Sequence, residues 1–325
     1  MRVTGNRRGF LTGLGAFGAA AAVAPRAAFA AGGLDVVATT GMIADVTRRI
    51  GDDLVSVKAL MGPGVDPHSY RQTRTDILAM ARADLVLWNG LYLEAQMEEF
   101  LGGIAKRTMV RPVGEAVPVE ARVAHDDYAD RFDPHVWMDP DLWTIPVRAV
   151  RDALIEVAPD HQAAFEASTD AYLAEIDRLA VYARDVLTSV PDSARVLITA
   201  HDAFNYFGRA YGYDVVGIQG ISTESEAGLA RIRDLVDLLV ERDVRAVFVE
   251  SSVSDRSVRA LIEGAAARGH EVRIGGELFS DAMGAPGTYE GTYIGMIDHN
   301  ATVIAAALGG TAPERGLNGR LSAGS

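Results

Sequence analysis

Short apolar runs alternate along the chain with longer segments in which apolar residues recur at three- and four-residue steps. In the first half, the runs predict strands at 34–39, 55–60 and 85–88. The segments with helical spacing predict helices at 42–50, 76–83 and 94–101. Because short strands that alternate with helices form parallel sheets covered on both faces, the first half is predicted to be an α/β unit.

A polar loop at 116–134 and a helix at 142–157 follow this unit. After Pro159, the pattern predicts one helix from 160 to 187, with an apolar stripe that repeats at helical spacing. The stripe consists of Phe165, Tyr172, Ile176, Leu179 and Val186. Since no glycine or proline interrupts it, we expect a stiff strut between two halves rather than a flexible linker.

The second half repeats the alternation of strands and helices. Its strands are predicted at 196–199, 215–218, 246–249 and 272–274. Its helices are predicted at 201–211, 224–241, 255–268 and 296–308, and Thr223 with Glu226 predicts a capping box for the second of them. Residues 311–325 are expected to form a disordered tail. The predicted fold class is α/β, with mostly parallel sheets flanked by helices in both halves.

The first thirty residues are typical of an export signal. Arg7 and Arg8 precede an apolar stretch rich in glycine and alanine at 10–24, and Ala28-Phe29-Ala30 has the small-x-small pattern of a cleavage site. The paired arginines resemble the twin-arginine type of signal. The apolar stretch is shorter than the roughly 20 residues of a spanning helix, so we expect a signal peptide and no direct membrane anchor.

Charge and cysteine content narrow the classes of function. The chain carries 31 basic and 44 acidic residues, a net charge of −13, which argues against a nucleic-acid partner. Cleavage after Ala30 would leave 27 basic residues against 44 acidic ones, a net charge of −17. There is no cysteine, so thiolate metal sites and a lipid-modified cysteine are excluded for this sequence. A metal must therefore bind to histidine or carboxylate side chains.

Three of the seven histidines occupy positions where ligands bind in α/β folds. His68 and His135 each follow an Asp-Pro pair in a loop of the first half, and His201 follows the strand predicted at 196–199. Proline holds the backbone before each of the first two imidazoles, and the aspartate can accept from the other ring nitrogen or bind metal itself. The other four, His125, His161, His270 and His299, are interpreted as solvated or structural.

Two classes of function remain open from the residues alone. A binding protein would enclose a metal ion with protein ligands only. A zinc-dependent metallohydrolase would keep one coordination position for water, with Asp66 or Glu250 as the base. No H-E-x-x-H helix and no G-x-S-x-G turn occurs in the sequence, which weakens the enzyme alternative.

The order of several segments resembles the metal receptors of manganese and zinc ABC importers. The segments lie at 65–68, 132–140, 199–207, 217–226, 248–252, 277–284 and 291–293, in family order. The resemblance covers about residues 34–310. It implies two lobes, at 31–158 and 191–310, joined by a long helix at 159–190, with a single divalent metal ion as cargo between them. It also implies a periplasmic location and, as partners, an ABC permease in the inner membrane with its ATPase.

The resemblance further implies four metal ligands, two from each lobe. They are His68, His135, His201 and Asp281. Manganese receptors of this family commonly have Glu at the position of His201, and zinc receptors often have a histidine-rich loop where this chain has only His125. Zinc and manganese therefore both remain open, with zinc favoured by three imidazole ligands.

The residues around these positions have weaker assignments. Asp66 and Glu250 are candidates to contact the ligands rather than the metal. Glu224 and Glu226 are interpreted as capping or surface charges. Trp137 and Phe204 could line the site, although core packing is the favoured role for each.

Overall fold

A computed structural model describes residues 33–125 and 130–322, so the predicted signal peptide at 1–30 lies outside the described residues. The first lobe contains a parallel sheet in the order β2-β1-β3-β4. Its strands are β1 (Leu34–Ala38), β2 (Val55–Ala59), β3 (Leu85–Trp88) and β4 (Met109–Pro112). Leu34 of β1 is opposite Val55 of β2, and Val36 of β1 is opposite Leu85 of β3. The sequence pattern did not predict β4, whose residues are only partly buried.

Three helices flank this sheet: α1 (Gly41–Gly51), α2 (Arg74–Arg82) and α3 (Glu98–Ile104). The Thr40 side chain caps α1 and accepts from the backbone N–H of Ile43. Thr73 and Asp76 form a reciprocal capping box at the start of α2. The helix predicted at 94–101 is divided, because a short 3₁₀ turn (Ala95–Met97) precedes α3.

The long helix between the two halves is confirmed. Helix α4 (Pro140–Val157) is followed by a 3₁₀ turn and then by α5 (Gln162–Thr188), which is about 40 Å long. The predicted apolar stripe of α5 is buried against α1, α4 and α9 (Tyr293–Ala307). Because α5 packs on elements from both halves, its position is fixed by contacts along its length.

The second lobe has two pairs of parallel strands. They are β5 (Val196–Thr199) with β6 (Asp214–Gly217), and β7 (Ala246–Glu250) with β8 (Arg273–Leu278), and β5 lies beside β7. The helices before α9 are α6 (Asn205–Tyr211), α7 (Leu229–Glu241) and α8 (Arg256–Ala267). The two-lobe α/β architecture is therefore as predicted. The exact lobe boundaries, 31–158 and 191–310, remain a prediction.

Two predicted helices in this lobe begin later than expected. Helix α6 begins at Asn205 rather than at 201, which leaves His201 in the loop after β5. Helix α7 begins at Leu229 with Gly228 as its N-cap, so the predicted capping box of Thr223 and Glu226 is wrong. The Thr223 hydroxyl donates instead to Asp66 of the first lobe. A local pattern cannot distinguish these two uses of a threonine.

The prediction of a disordered tail is wrong for residues 311–322. Leu321 is completely buried in the main core. The backbone N–H of Leu317 donates to Asp298, and that of Ser322 donates to Glu290. The tail contains too few apolar residues to predict this packing, which depends on carboxylates of α9 and of the loop before it.

The fold places several loops at the carboxyl ends of parallel strands, where open α/β sheets bind ligands. The loops after β2, β4, β5 and β8 carry His68, His135, His201 and Asp281, respectively. None of the helices in the described part of the chain combines the length and apolar character that crossing a membrane requires.

Candidate metal centre

His68 lies in the loop that follows β2. Gly64 has a φ of 70°, a conformation that glycine adopts readily, and a Cβ at this position would lie 3.4 Å from the backbone carbonyl oxygen of Ser251 in the second lobe. The backbone N–H of His68 donates to Oδ1 of Asp66 at 2.9 Å. The His68 side chain is buried, and its Nε2 lies 3.3 Å from Nε2 of His135. Asp66 therefore contacts His68 through the backbone, which agrees with the role predicted for it.

His135 is held by the aspartate two residues before it. Nδ1 of His135 lies 2.7 Å from Oδ1 of Asp133, which also accepts from the His135 backbone N–H at 2.9 Å. The second oxygen of Asp133 accepts from Asn205 of the other lobe at 3.1 Å. With a carboxylate on Nδ1, the neutral ring carries its proton there and turns its Nε2 lone pair toward the cluster.

His201 has an equivalent arrangement in the second lobe. Nδ1 of His201 lies 2.6 Å from Oε2 of Glu250, and the His201 backbone N–H donates to Oε1 at 2.8 Å. Glu250 is the last residue of β7, so the neighbouring strand supplies the carboxylate that orients the ring. This position agrees with the role predicted for Glu250. It also leaves Nε2 of His201 facing the centre of the cluster.

Asp281 completes the cluster. Its Oδ1 lies 3.3 Å from Nε2 of His135, and its Oδ2 lies 3.2 Å from Nε2 of His201. One ligand atom from each of the four residues lies within 4.8 Å of the others. A tetrahedron with metal–ligand bonds of about 2.0–2.1 Å has edges of about 3.3 Å, which matches the short distances in the cluster. His68, His135, His201 and Asp281 thus form a His₃Asp site that can hold a metal ion.

The pKa values of the three histidines differ because different charges surround each ring. Burial lowers the pKa of His68 to about 3, and the neighbouring His135 and His201 add to this effect. Burial also lowers the pKa of His135, but Asp133 and Asp281 raise it by more, to about 9. The pKa of His201 is raised well above its ordinary value because Glu250 and Asp281 outweigh burial. Without metal, the site therefore favours protons on His135 and His201.

The buried carboxylates favour a positive charge at the site. Asp133, Asp281 and Glu250 are almost completely buried, and burying an uncompensated carboxylate is costly. Among the described residues, no hydrogen bond of good geometry satisfies either oxygen of Asp281 or Nε2 of His201, although all three atoms are buried. Each such atom costs about 1–3 kcal/mol. Protons reduce this cost, and a divalent metal ion at the cluster would remove it.

Trp137 has both of the roles considered for it. It is buried in the main core, and its ring meets that of His135 edge-on at a centroid distance of 5.2 Å. Its Nε1–H donates to the backbone carbonyl of Ser280, next to Asp281, at 2.8 Å. Phe204, by contrast, is a core residue that packs on Phe207. Trp137 thus fixes a ligand-bearing loop of one lobe to a ligand-bearing loop of the other.

Two supporting residues were not predicted from the sequence. The Nδ2 amide of Asn89 donates to the carbonyl of Pro134 at 3.1 Å, directly before His135. Glu94 is completely buried and accepts from Thr39 and from the backbone N–H of Asn89 and Gly90. Burial raises the pKa of Glu94 to about 7. A signal was present in Asn89-Gly90, a turn dipeptide, but the pattern gave no indication that the turn would support His135.

The remaining candidates lie outside the cluster. Nε2 of His270 contacts the carbonyl of Val244, and Nε2 of His299 contacts that of Glu277. The ring of His161 packs on Phe165, and His125 is a buried residue of the polar loop. Glu226 pairs with Arg256, whereas Glu224 accepts from Gln96 of the first lobe. Within residues 33–125 and 130–322, the His₃Asp site is the one place where three or more potential metal ligands lie close together.

A two-lobed α/β fold with a long linking helix and a buried His₃Asp site is the architecture of a metal-binding receptor. The family model described as zinc-uptake complex component A periplasmic (ZnuA) matches residues 36–307, and the chain belongs to this family. The family consists of substrate-binding receptors for transport, and it gives no support to the metallohydrolase alternative.

Two curated relatives are similar to the chain at almost equal identity. The zinc-binding protein TroA of Treponema pallidum is 46% identical over 273 residues, which cover 84% of this chain and 88% of the relative. The manganese-binding lipoprotein MntA of Bacillus subtilis is 45% identical over 275 residues, which cover 85% and 90%, respectively. The solved structure of periplasmic TroA superimposes with a TM-score of 0.83 and covers 85% of this chain and 99% of that one.

Proposed function

We propose that this protein captures one divalent transition-metal ion in the periplasm and delivers it to an ABC permease, which imports the ion with its ATPase. The observation that carries the proposal is the convergence of three imidazole nitrogens with Asp281 in a buried site between the lobes. Family membership supports the transport role. A site that two lobes complete together suits a receptor. The metal ion can be delivered when the lobes or their loops separate.

The proposed ligands are His68, His135, His201 and Asp281. Three neutral imidazoles and one carboxylate would give a bound divalent ion a net charge of +1 in its immediate shell. The two buried carboxylates behind the rings, Asp133 and Glu250, would offset that charge and keep the ring tautomers fixed. The arrangement resembles a closed structural zinc shell more than a catalytic one, which keeps a position for water. We therefore propose a receptor without hydrolase activity.

Zinc is the favoured cargo, with manganese as the alternative. Imidazole-rich sites bind zinc more tightly than manganese, as the Irving–Williams order requires. The names of the relatives do not separate the two, since TroA is called zinc-binding and MntA manganese-binding at nearly the same identity. A higher affinity for zinc therefore does not by itself identify the metal that the protein carries in the cell. The metal content of protein purified from its own periplasm would identify the cargo.

Export by the twin-arginine route is part of the proposal. Its support is Arg7-Arg8 before a mildly apolar stretch at 10–24. MntA is named a lipoprotein, whereas the sequence of this chain has no cysteine to carry a lipid. We expect a free periplasmic receptor. Replacing both arginines with lysine should leave precursor in the cytoplasm, and normal export of that variant would contradict this route.

The test of the binding function is a titration with zinc alone and with manganese alone. We expect one ion per chain, with zinc bound more tightly. His201→Ala should weaken zinc binding more than about hundredfold, since even the loss of a partner behind a ligand costs 10–100-fold. His161→Ala is the control, because its ring packs on Phe165 outside the cluster. Unchanged affinity and stoichiometry in His201→Ala would contradict the assignment.

A further inference from the structure

The three histidines of the site differ in what fixes them. The rings of His135 and His201 are each fixed by a buried carboxylate on Nδ1. No hydrogen bond to a described residue fixes Nδ1 of His68. What holds His68 is the conformation of its loop, through the bond from its backbone N–H to Asp66. The position of this ring therefore depends on the position of Asp66.

Asp66 is connected in turn to the other lobe. Its Oδ2 accepts from the hydroxyl of Thr223 at 2.6 Å, and it also accepts from Ser69 at 2.9 Å. Thr223 lies 157 positions away in the chain, in the segment between β6 and α7. The bond from Thr223 thus joins the His68 loop to the lobe that supplies His201 and Asp281.

We propose that Thr223 is a positioning residue for His68, which acts through Asp66 and slows the release of the metal ion. This inference rests on the proposed function. The hydroxyl of Thr223 holds Asp66, and Asp66 holds the His68 backbone, so the ring stays in reach of the ion only while the two lobes are joined at this point. Separation of the Thr223–Asp66 pair would let His68 leave the ion first.

The surroundings of Thr223 suit a contact that opens and closes. Ile221 is buried, whereas residues 224–226 are exposed. Asp66 and Thr223 are each only half-buried, so water can replace the bond when it breaks. Helix α7 begins at Leu229 with Gly228 as its cap, and Thr223 therefore has no role in starting that helix.

The expected consequence is kinetic. A contact that must break before the ion leaves affects the dissociation rate, whereas association into the open site does not need it. A hydrogen bond to a carboxylate that is half accessible to water stabilises by an amount at the low end of the charge-assisted range, so its loss should accelerate release about tenfold. The association rate constant should change by less than about twofold, since tuning of affinity acts mostly through dissociation.

The experiment measures zinc release from the full protein. Zinc-loaded protein is mixed with excess chelator, and the release rate is followed by the fluorescence of a zinc indicator. Thr223→Val removes the hydroxyl and keeps the shape, Thr223→Ala is a second variant without the hydroxyl, and Thr223→Ser restores the donor. Ser225→Ala is the matched control, because Ser225 is an exposed hydroxyl residue of the same segment. We expect faster release in the first two variants and near-wild-type release in the last two.

A double-mutant cycle with Asp66→Ala tests the route through Asp66. If Thr223 acts only through Asp66, Thr223→Val should add nothing to the release rate in the Asp66→Ala background. Wild-type release rates in Thr223→Val and Thr223→Ala would overturn the inference and leave the proposed function intact. So would failure of Thr223→Ser to restore slow release. If the wild-type protein bound neither zinc nor manganese, both the proposed function and this inference would fail.

Discussion

Two sets of contacts between the lobes differ in burial. The first set, the base contacts, comprises the bond from Trp137 to Ser280 and the bond from the Tyr293 hydroxyl to the Trp137 carbonyl at 2.9 Å. Trp137 and Tyr293 are almost completely buried. The second set, the rim contacts, comprises Thr223 with Asp66 and Gln96 with Glu224, which are half-buried or exposed. The base contacts are the costlier set to break, because they leave buried polar groups without partners.

The difference shows where the site can open. His135 and Asp281 each lie within two residues of a base contact, whereas His68 depends on a rim contact. Helix α5 packs along both lobes and opposes a large change in their angle. We therefore expect the metal ion to leave by local movement of the His68 loop, with a change in radius of gyration between metal-free and loaded protein well below that of a large domain closure.

The largest expected effect is the pH dependence of metal affinity. Metal must displace protons from His135, whose pKa is raised to about 9, and from His201, whose pKa is raised well above its ordinary value because Glu250 and Asp281 outweigh burial. Each displaced proton changes the apparent affinity tenfold per pH unit, so the proton of His135 alone should lower the affinity about hundredfold from pH 8 to pH 6, and the proton of His201 should lower it further. His68 contributes nothing to this change, because its pKa of about 3 keeps it neutral. Calorimetry in buffers of different ionisation enthalpy measures the released protons.

The stability of the metal-free protein should depend on pH in the opposite direction. The folded-state pKa of His135 lies above its unfolded value of about 6.5, so its contribution to stability is complete below pH 6.5 and is lost as the pH rises through 9. The free energy of unfolding without metal should therefore decline between pH 6.5 and pH 9. A metal-free protein that became more stable over this range would contradict the charge assignment at the base of the site.

The next effect in size concerns the carboxylates behind the rings. Glu250→Gln keeps the shape but places an amide N–H₂ or a neutral oxygen beside Nδ1 of His201, which weakens the preference for the tautomer that binds metal. We expect zinc affinity to fall 10–100-fold, as for other residues that orient a ligand. Glu226→Gln makes the same chemical change at an exposed position and should have no measurable effect. Equal affinities of the two variants would show that the carboxylate of Glu250 does not orient His201.

The base contact of Trp137 should be visible in stability. Trp137→Phe leaves the Ser280 carbonyl without its donor, and the free energy of unfolding should fall by about 2 kcal/mol beyond the packing loss. Trp143→Phe is a matched control. Trp143 is equally buried, and its Nε1 has no hydrogen-bond partner among the described residues. Chemical denaturation measures the loss of unfolding free energy in each variant, and the difference between the two losses is the contribution of the hydrogen bond. Equal losses in the two variants would argue against a stabilising bond from Trp137 to Ser280.

The smallest effect is expected at the rim. Gln96→Ala removes an exposed amide that donates to Glu224, and substitutions of this kind usually change stability by less than about 0.5 kcal/mol. Its zinc release rate should change less than that of Thr223→Val, because Gln96 has no connection to the His68 loop through Asp66. A Gln96→Ala variant with the larger effect on release would move the opening point away from Thr223.

The sequence predicted the parts of the fold that depend on periodic patterns. The stripe of α5 from Phe165 to Val186 and the alternation of strands and helices were recognisable because burial on one face has a fixed period. The four residues of the cluster were predicted by resemblance, with His68 and His135 also marked by their Asp-Pro pairs. The pattern alone could not identify Asp281, whose position after β8 becomes informative only when β8 is placed in its lobe.

The parts that were missed depend on contacts between distant residues. Thr223 has the local pattern of a helix cap, yet its hydroxyl donates to Asp66 across the lobes. Leu321 lies in a polar tail, and it is buried because Asp298 and Glu290 accept from the neighbouring backbone. Neither outcome has a periodic signal along the chain, because each requires the tertiary structure to bring the partner near.

The most direct test of the metal centre is the crystal structure of the zinc-loaded protein, with anomalous diffraction recorded on both sides of the zinc absorption edge. The account predicts one anomalous peak per chain, about 2.0–2.1 Å from Nε2 of each of His68, His135 and His201 and about 2.0–2.2 Å from a carboxylate oxygen of Asp281. A zinc peak at any other position, or a peak that any of the four residues does not contact, would contradict the account.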